Sequence, residues 1–105
     1  MYTRIRQYRL KDPEEATRRV KESFLPLVRE IPGFLGYYIV QGEEGAYASI
    51  SVFETREGAE EMDRLSTQWN SEHLQELLEA TGETLIGDTV IAEMREEEHE
   101  ERRAA

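Results

Sequence analysis

The chain has 105 residues and no cysteine, and its 13 Lys and Arg against 23 Asp and Glu give a formal charge of −10 at pH 7. With 38% hydrophobic and 9% aromatic residues it has material for one folded domain with one core, while 34% charged residues supply a well-solvated surface. An acidic surface repels phosphate backbones and anionic lipid headgroups, so neither nucleic acid nor a membrane surface is an expected partner, and the lack of cysteine excludes disulfide frameworks, thiolate zinc sites and thiol catalysis.

Tyr2 to Leu10 alternates aromatic and β-branched residues with arginine and reads as a half-buried strand. Arg4, Arg6 and Arg9 interrupt any apolar stretch of the kind a signal peptide needs, and a cytoplasmic location is expected. Asp12-Pro13-Glu14-Glu15 opens a helix: Asp12 is a good N-cap, Pro13 suits a first turn whose N–H would go unpaired, and Glu15 stands where a capping box wants a carboxylate. Ala16, Val20, Phe24, Leu27 and Ile31 follow at helical spacing, with a kink or restart expected at Pro26 and an end at Ile31-Pro32-Gly33.

Phe34 to Gln41 is apolar on both faces, as in a strand covered on both sides. Its apolar run, Phe34 to Val40, covers seven residues, far short of the roughly twenty a membrane helix needs. Gly42-Glu43-Glu44-Gly45 is a hairpin turn into a strand from Ala46 to Phe53. That strand has an aliphatic face (Ala46, Ala48, Ile50, Val52), expected to receive the helices, and a second face of Tyr47, Ser49, Ser51 and Phe53. From Thr55, an N-cap, the positions Ala59, Met62, Ser66, Trp69, His73, Leu77 and Ala80 predict one long helix, bent at Asn70-Ser71 and stopped at Thr81-Gly82. Thr84 to Met94 reads as the last strand. Residues 1–95 form the expected domain, and 96–105 form a charged tail without apolar periodicity.

The order strand, helix, strand, strand, helix, strand is the α+β, ferredoxin-like βαββαβ pattern, a four-stranded antiparallel sheet with two helices on one face. The other sheet face, expected to carry Tyr37 or Tyr38, Tyr47, Phe53 and part of Ile86, Val90 and Met94, is too apolar to stand in water. A homodimer joined through the open sheet faces, which can close two sheets into a dimeric α/β barrel, is the simplest remedy.

The segment from Ile31 to Trp69, with Pro32-Gly33-Phe34, Gly36-Tyr37, a hairpin ending in Ser51-Val52-Phe53, Ala59 early in the next helix, and Trp69, resembles the antibiotic biosynthesis monooxygenase-like group of dimeric α/β-barrel proteins. The resemblance covers nearly the whole chain except the tail. It implies a homodimer with a small-molecule cavity between sheet and helices in each subunit. Its members include oxygenases of polycyclic phenols that use neither metal nor flavin, haem-degrading enzymes, and proteins of unknown role. Cofactor-free oxidation requires a site that desolvates an electron-rich phenol, removes its proton and stabilises the anion while oxygen reacts.

Trp69 and His73 lie four apart on one helix face and are the catalytic candidates, the indole as a wall and donor, the imidazole as a base near neutral pH. Their ordinary reading is a core anchor and a residue at the margin of the buried stripe. Tyr37, Tyr38 and Leu77 join them as pocket-lining candidates; the two tyrosines point to opposite faces of their strand, so one serves a cavity and the other the dimer interior, or both simply pack. Asn70 lies off the stripe and reads as a surface or bend residue. Arg4 and Arg6 share a face with Tyr2 and Tyr8; they bind an anionic group or, more ordinarily, pair across strands with Glu93 or another acid.

Relatives that degrade haem hold iron through a helix histidine beside an asparagine and a tryptophan. Here the chain offers Gln7 and a Trp69-to-His73 spacing of four, too close for those two roles. No metal site and no cofactor are expected, because His99 stands in a charge run and Gly33-Phe34-Leu35-Gly36 lacks phosphate-loop spacing. The leading expectation is a homodimer that oxidises a small aromatic, phenolic molecule without a cofactor. The alternatives are a non-catalytic dimer that binds a small ligand or a partner, and haem binding or degradation.

Overall fold

The computed structural model describes residues 1–95; the charged tail, His99 included, lies outside the described residues. Strand β1 (Tyr2–Leu10) leads into a helical arm made of α1 (Pro13–Arg19), a π-helical turn (Val20–Phe24) and α2 (Leu25–Arg29). Strands β2 (Phe34–Gln41) and β3 (Ala46–Phe53) form a hairpin, α3 runs from Arg56 to His73, a 3₁₀ turn covers Gln75–Leu77, and β4 (Leu78–Asp88) completes the sheet. The sheet order is β2-β3-β1-β4 with every neighbouring pair antiparallel, which is the ferredoxin-like α+β arrangement.

The local signals act as expected at several boundaries. The Asp12 carboxylate accepts the Glu15 backbone N–H at 3.1 Å, and the Thr55 hydroxyl accepts that of Gly58 at 3.2 Å. Pro26, in the first turn of α2, cannot donate to the preceding ladder; the turn ahead of it widens into π geometry and the helix restarts at Leu25. At Gly45 the backbone takes φ +82°, and a β-carbon there would collide with the Leu10 carbonyl oxygen.

Four expectations need correction. The face of β3 that meets the helices is Tyr47, Ser49, Ser51 and Phe53, all buried, and not the aliphatic one. Tyr47 and Phe53 bring the larger apolar volume, and the two serines leave room for the arginines paired opposite them, Arg4 with Ser51 and Arg6 with Ser49. Arg4 is fully buried and pairs with Asp63 of α3, not with Glu93.

The last strand begins at Leu78 and not at Thr84, so α3 ends at His73 and Ala80 lies in the sheet. The free edge of β1 decides this: Leu10, Arg9 and Tyr8 pair with Leu78, Ala80 and Thr81, and Lys11 N–H donates to the Leu77 carbonyl at 2.8 Å, which a continued helix would forfeit. At the other end β1 runs out; Thr89 N–H reaches the Met1 carbonyl at 2.9 Å, and Val90, Ile91 and Met94 lie beyond the sheet, exposed.

The open sheet face is apolar through other residues than those expected. Ile86 belongs to the core side with Arg4, its register partner. The open face carries Tyr38, Ile50, Ile5 and Leu85 as one row across all four strands, with Val40, Ala48 and Val52 beside it. Tyr38 is 48% and Leu85 63% exposed. Among the described residues, no helix is long and apolar enough to cross a membrane.

Candidate functional site

A helix laid across a twisted sheet leaves a small gap where large and small side chains alternate beneath it. Here the gap lies between α3, the π-helical turn and the middle of β1, β2 and β3. Trp69, Asn70 and Ser66 come from α3, Val20 and Phe24 from the turn, Tyr8 from β1, Tyr37 and Ile39 from β2, and Tyr47 from β3; Leu10 and Leu74 close the ends. The enclosed space is about 20 Å³, enough for a single water molecule.

Trp69 is 3% exposed and anchors the wall. Its ring lies 4.9 Å from Phe24, which meets Tyr37 edge-on at 6.1 Å, so three rings form a continuous aromatic lining. The indole N–H donates to Ser23 Oγ at 3.2 Å on the π-helical turn, which fixes the ring. Asn70 Nδ2 donates to the Tyr8 hydroxyl at 3.3 Å, and Tyr47 shares a 2.7 Å hydrogen bond with Thr17. Burial pushes the Tyr37 phenol well above its usual range, with Tyr8 and Tyr47 adding to the effect and Arg4 opposing it. Burial also raises that of Tyr47, against the Thr17 hydrogen bond. Both remain neutral phenols at physiological pH, suited to donate a hydrogen bond and not to accept a proton.

Of the sequence candidates, Trp69 and Tyr37 line this cavity. Tyr38 is on the opposite sheet face and belongs to the open apolar row. His73 stacks on Trp69 at 5.0 Å but is exposed, at the rim, and its carbonyl is held by Arg19 Nη1 at 2.6 Å. Leu77 sits in the 3₁₀ turn, packs against the core edge and does not reach the cavity. Asn70, read from sequence as a surface or bend residue, turns its amide inward. The signal that finds it is the face of Tyr8: β1 places that hydroxyl under α3, where a half-buried phenol needs a partner. Among the described residues no group of three or more metal-binding side chains gathers.

No family model matches the chain, and no curated protein matches it in sequence. Solved structures do match. A Nitrosomonas europaea protein named as an antibiotic biosynthesis monooxygenase superposes with TM-score 0.68 at 16% identity, over 87% of this chain and 100% of that one. The chain has the antibiotic biosynthesis monooxygenase fold. SnoaB of Streptomyces nogalater, a cofactor-independent oxygenase, shares the fold with TM-score 0.65 at 12% identity, over 87% of this chain and 94% of that one. So does MhuD, in a structure with manganese protoporphyrin IX bound, with TM-score 0.68 at 20% identity, over 90% of this chain and 99% of that one. At such identities the likeness is one of fold, and the chemistry must be argued from the side chains.

Proposed function

We propose that the protein is a homodimer, joined through its open sheet face, whose cavity under α3 takes a small phenolic aromatic molecule and oxidises it with dioxygen without a cofactor. The observation that carries this is the lining itself: Trp69, Phe24, Tyr37, Tyr8 and Tyr47 surround the space, with the Asn70 amide as a polar donor. Aromatic walls exclude water and hold a planar ring, while neutral donors stabilise an oxyanion. The shared fold with an oxygenase that needs no cofactor is consistent with this chemistry.

For a dihydroxynaphthalene the reaction balances as substrate plus dioxygen to hydroxynaphthoquinone plus water. The ring C–H para to one hydroxyl breaks and becomes a carbonyl, that hydroxyl loses its proton and becomes the second carbonyl, and the four electrons released reduce dioxygen, one atom entering the ring and the other leaving as water. The Asn70 amide and the Tyr37 hydroxyl hold the phenolate oxygen. His73, stacked on Trp69 at the rim, is the group that takes the proton. The cavity must widen from about 20 Å³ toward the several hundred that a ligand occupies. Val20 and Phe24 stand on the π-helical turn, where the regular ladder is already broken, and this turn is the wall that yields.

A second reading, a non-catalytic dimer that binds a small ligand, is favoured by the small cavity and by a lining that, among the described residues, holds no carboxylate or imidazole. Oxygen consumption separates the two. With dihydroxynaphthalene the oxygenase reading expects uptake above the protein-free rate, quinone formed in step with it, and a loss of about tenfold in Asn70→Ala, the effect of one lost hydrogen bond. Binding with no uptake establishes the second reading, and uptake unchanged in Asn70→Ala and Trp69→Phe refutes the assigned site.

A further inference from the structure

Asn70 has two sides. Its amide meets Tyr8 at the aromatic cavity, and it also lines a separate groove of about 300 Å³ between α3 and the β1–β4 edge. The groove is bounded by Arg6, Thr67, Asn70, Ser71 and Gln75, with Leu78 and Thr81 on its outer side. Among the described residues its lining therefore supplies one guanidinium, two amides and three hydroxyls, and no acid, in a chain with ten more acids than bases. The β1–β4 pairing slips between Arg6 and Tyr8 at this point, and such irregularities open a sheet edge and re-aim its side chains.

Arg6 is underused for so costly a residue. Among the described residues its buried Nε has no hydrogen-bond partner, its Nη1 reaches only Thr67 Oγ1 at a long 3.4 Å, and its guanidinium carbon lies 5.3 Å from the Tyr8 ring centre. A buried donor left unpaired costs stability unless something else satisfies it, and a planar guanidinium fork with spare donors matches a carboxylate. Tyr8 touches both compartments: one face receives Arg6, and its hydroxyl meets Asn70 at the inner cavity.

We propose that groove and cavity are two halves of one site, and that its ligand is an aromatic carboxylate whose ring passes the Tyr8–Asn70 partition while its ionised group stays with Arg6. This rests on the aromatic-cavity reading above and narrows the ligand class within it. An acidic protein repels anions at long range, so a lining without acids among the described residues is what lets such a ligand dock.

The test uses Trp69, the chain's single tryptophan and part of the cavity wall, as a fluorescent reporter. Naphthol and hydroxynaphthoate, differing only in the carboxylate, are titrated into the full chain. The expected result is at least about tenfold tighter binding of hydroxynaphthoate, an advantage that shrinks with added salt. Arg6→Gln brings the ratio of the two affinities to about one. Thr81→Asp, which adds a carboxylate to the groove on an exposed strand and leaves the packing of Arg6 alone, does the same and covers the case in which Arg6→Gln fails to fold. Equal binding of the two ligands by the unaltered chain, or an advantage that survives in Thr81→Asp, overturns the groove assignment while the cavity reading stands. Failure of both ligands to quench Trp69 overturns both.

Discussion

Arg4 is the most demanding residue of the core face, and replacing its partner gives a quantitative test. Its side chain is 0% exposed; Nε and Nη2 both lie 3.0 Å from Asp63 Oδ1, and Nη2 donates to Ser66 Oγ at 2.8 Å. Asp63 is 39% exposed, so the pair sits between two regimes. An exposed pair contributes at most about 1 kcal/mol, whereas removing one partner of a buried pair costs about 3–5 kcal/mol because the other charge is left uncompensated.

In Asp63→Ala it is the buried partner that remains, with Nη1 already lacking an acceptor among the described residues, so the buried regime governs. Water entering on the Asp63 side holds the cost to the lower end, about 3 kcal/mol. For a domain of this size that lowers Tm by about 12–20 °C. Thermal unfolding followed by circular dichroism at fixed protein concentration measures it. The double variant Arg4→Met with Asp63→Ala removes both charges and is expected to recover most of the loss. A single-variant loss below about 0.5 kcal/mol, or a double variant no better than the single, would refute the claim that an uncompensated charge is what destabilises the core.

Other consequences follow from the same contacts. Gly45→Ala, at φ +82° against the Leu10 carbonyl, is expected to lower urea stability by at least about 1 kcal/mol, and an unchanged midpoint would mean the hairpin adapts. Hydrogen bonds from Arg18 and then Arg19 hold the Glu15 carboxyl down to about 2 from its usual 4.5. Stability from this group is therefore complete above about 4.5 and fades as pH falls toward 2, and a carboxyl resonance titrating near 4.5 would contradict the network. Ile50→Glu places a charge in the middle of the open apolar row and is expected to convert a sedimenting dimer into a monomer. An unaltered chain that already sediments as a monomer would contradict the proposed interface.

Strands β1, β2 and β3 were legible in the sequence to the residue, because each is bounded by proline, glycine or a cap that fixes where the ladder begins and ends. The last strand was not. Leu77 and Ala80 continue a helical stripe, and only the unpaired edge of β1, a partner some seventy residues away, ends the helix before them and draws Leu78 and Ala80 into the sheet. The faces of β3 were inverted for a related reason: serine reads as solvent-facing until a buried arginine is known to lie opposite it.

The site divides in the same way. Trp69 and Tyr37 stand out by type and spacing, whereas Asn70 has no apolar signature and is recognisable only through Tyr8 beneath it in the sheet. His73 keeps the helical phase of Trp69 but lies one turn further on, where α3 is leaving the sheet, so the same phase puts it at the rim.

The measurement that bears most directly on the central claim is a set of intermolecular nuclear Overhauser contacts from bound dihydroxynaphthalene to assigned side chains. Contacts to Trp69, Phe24 and Tyr37 place the ligand in the cavity under α3, as expected. Contacts confined to Tyr38, Ile50 and Leu85 on the open sheet face, or none at saturating ligand, would contradict the assignment of the cavity as the binding site.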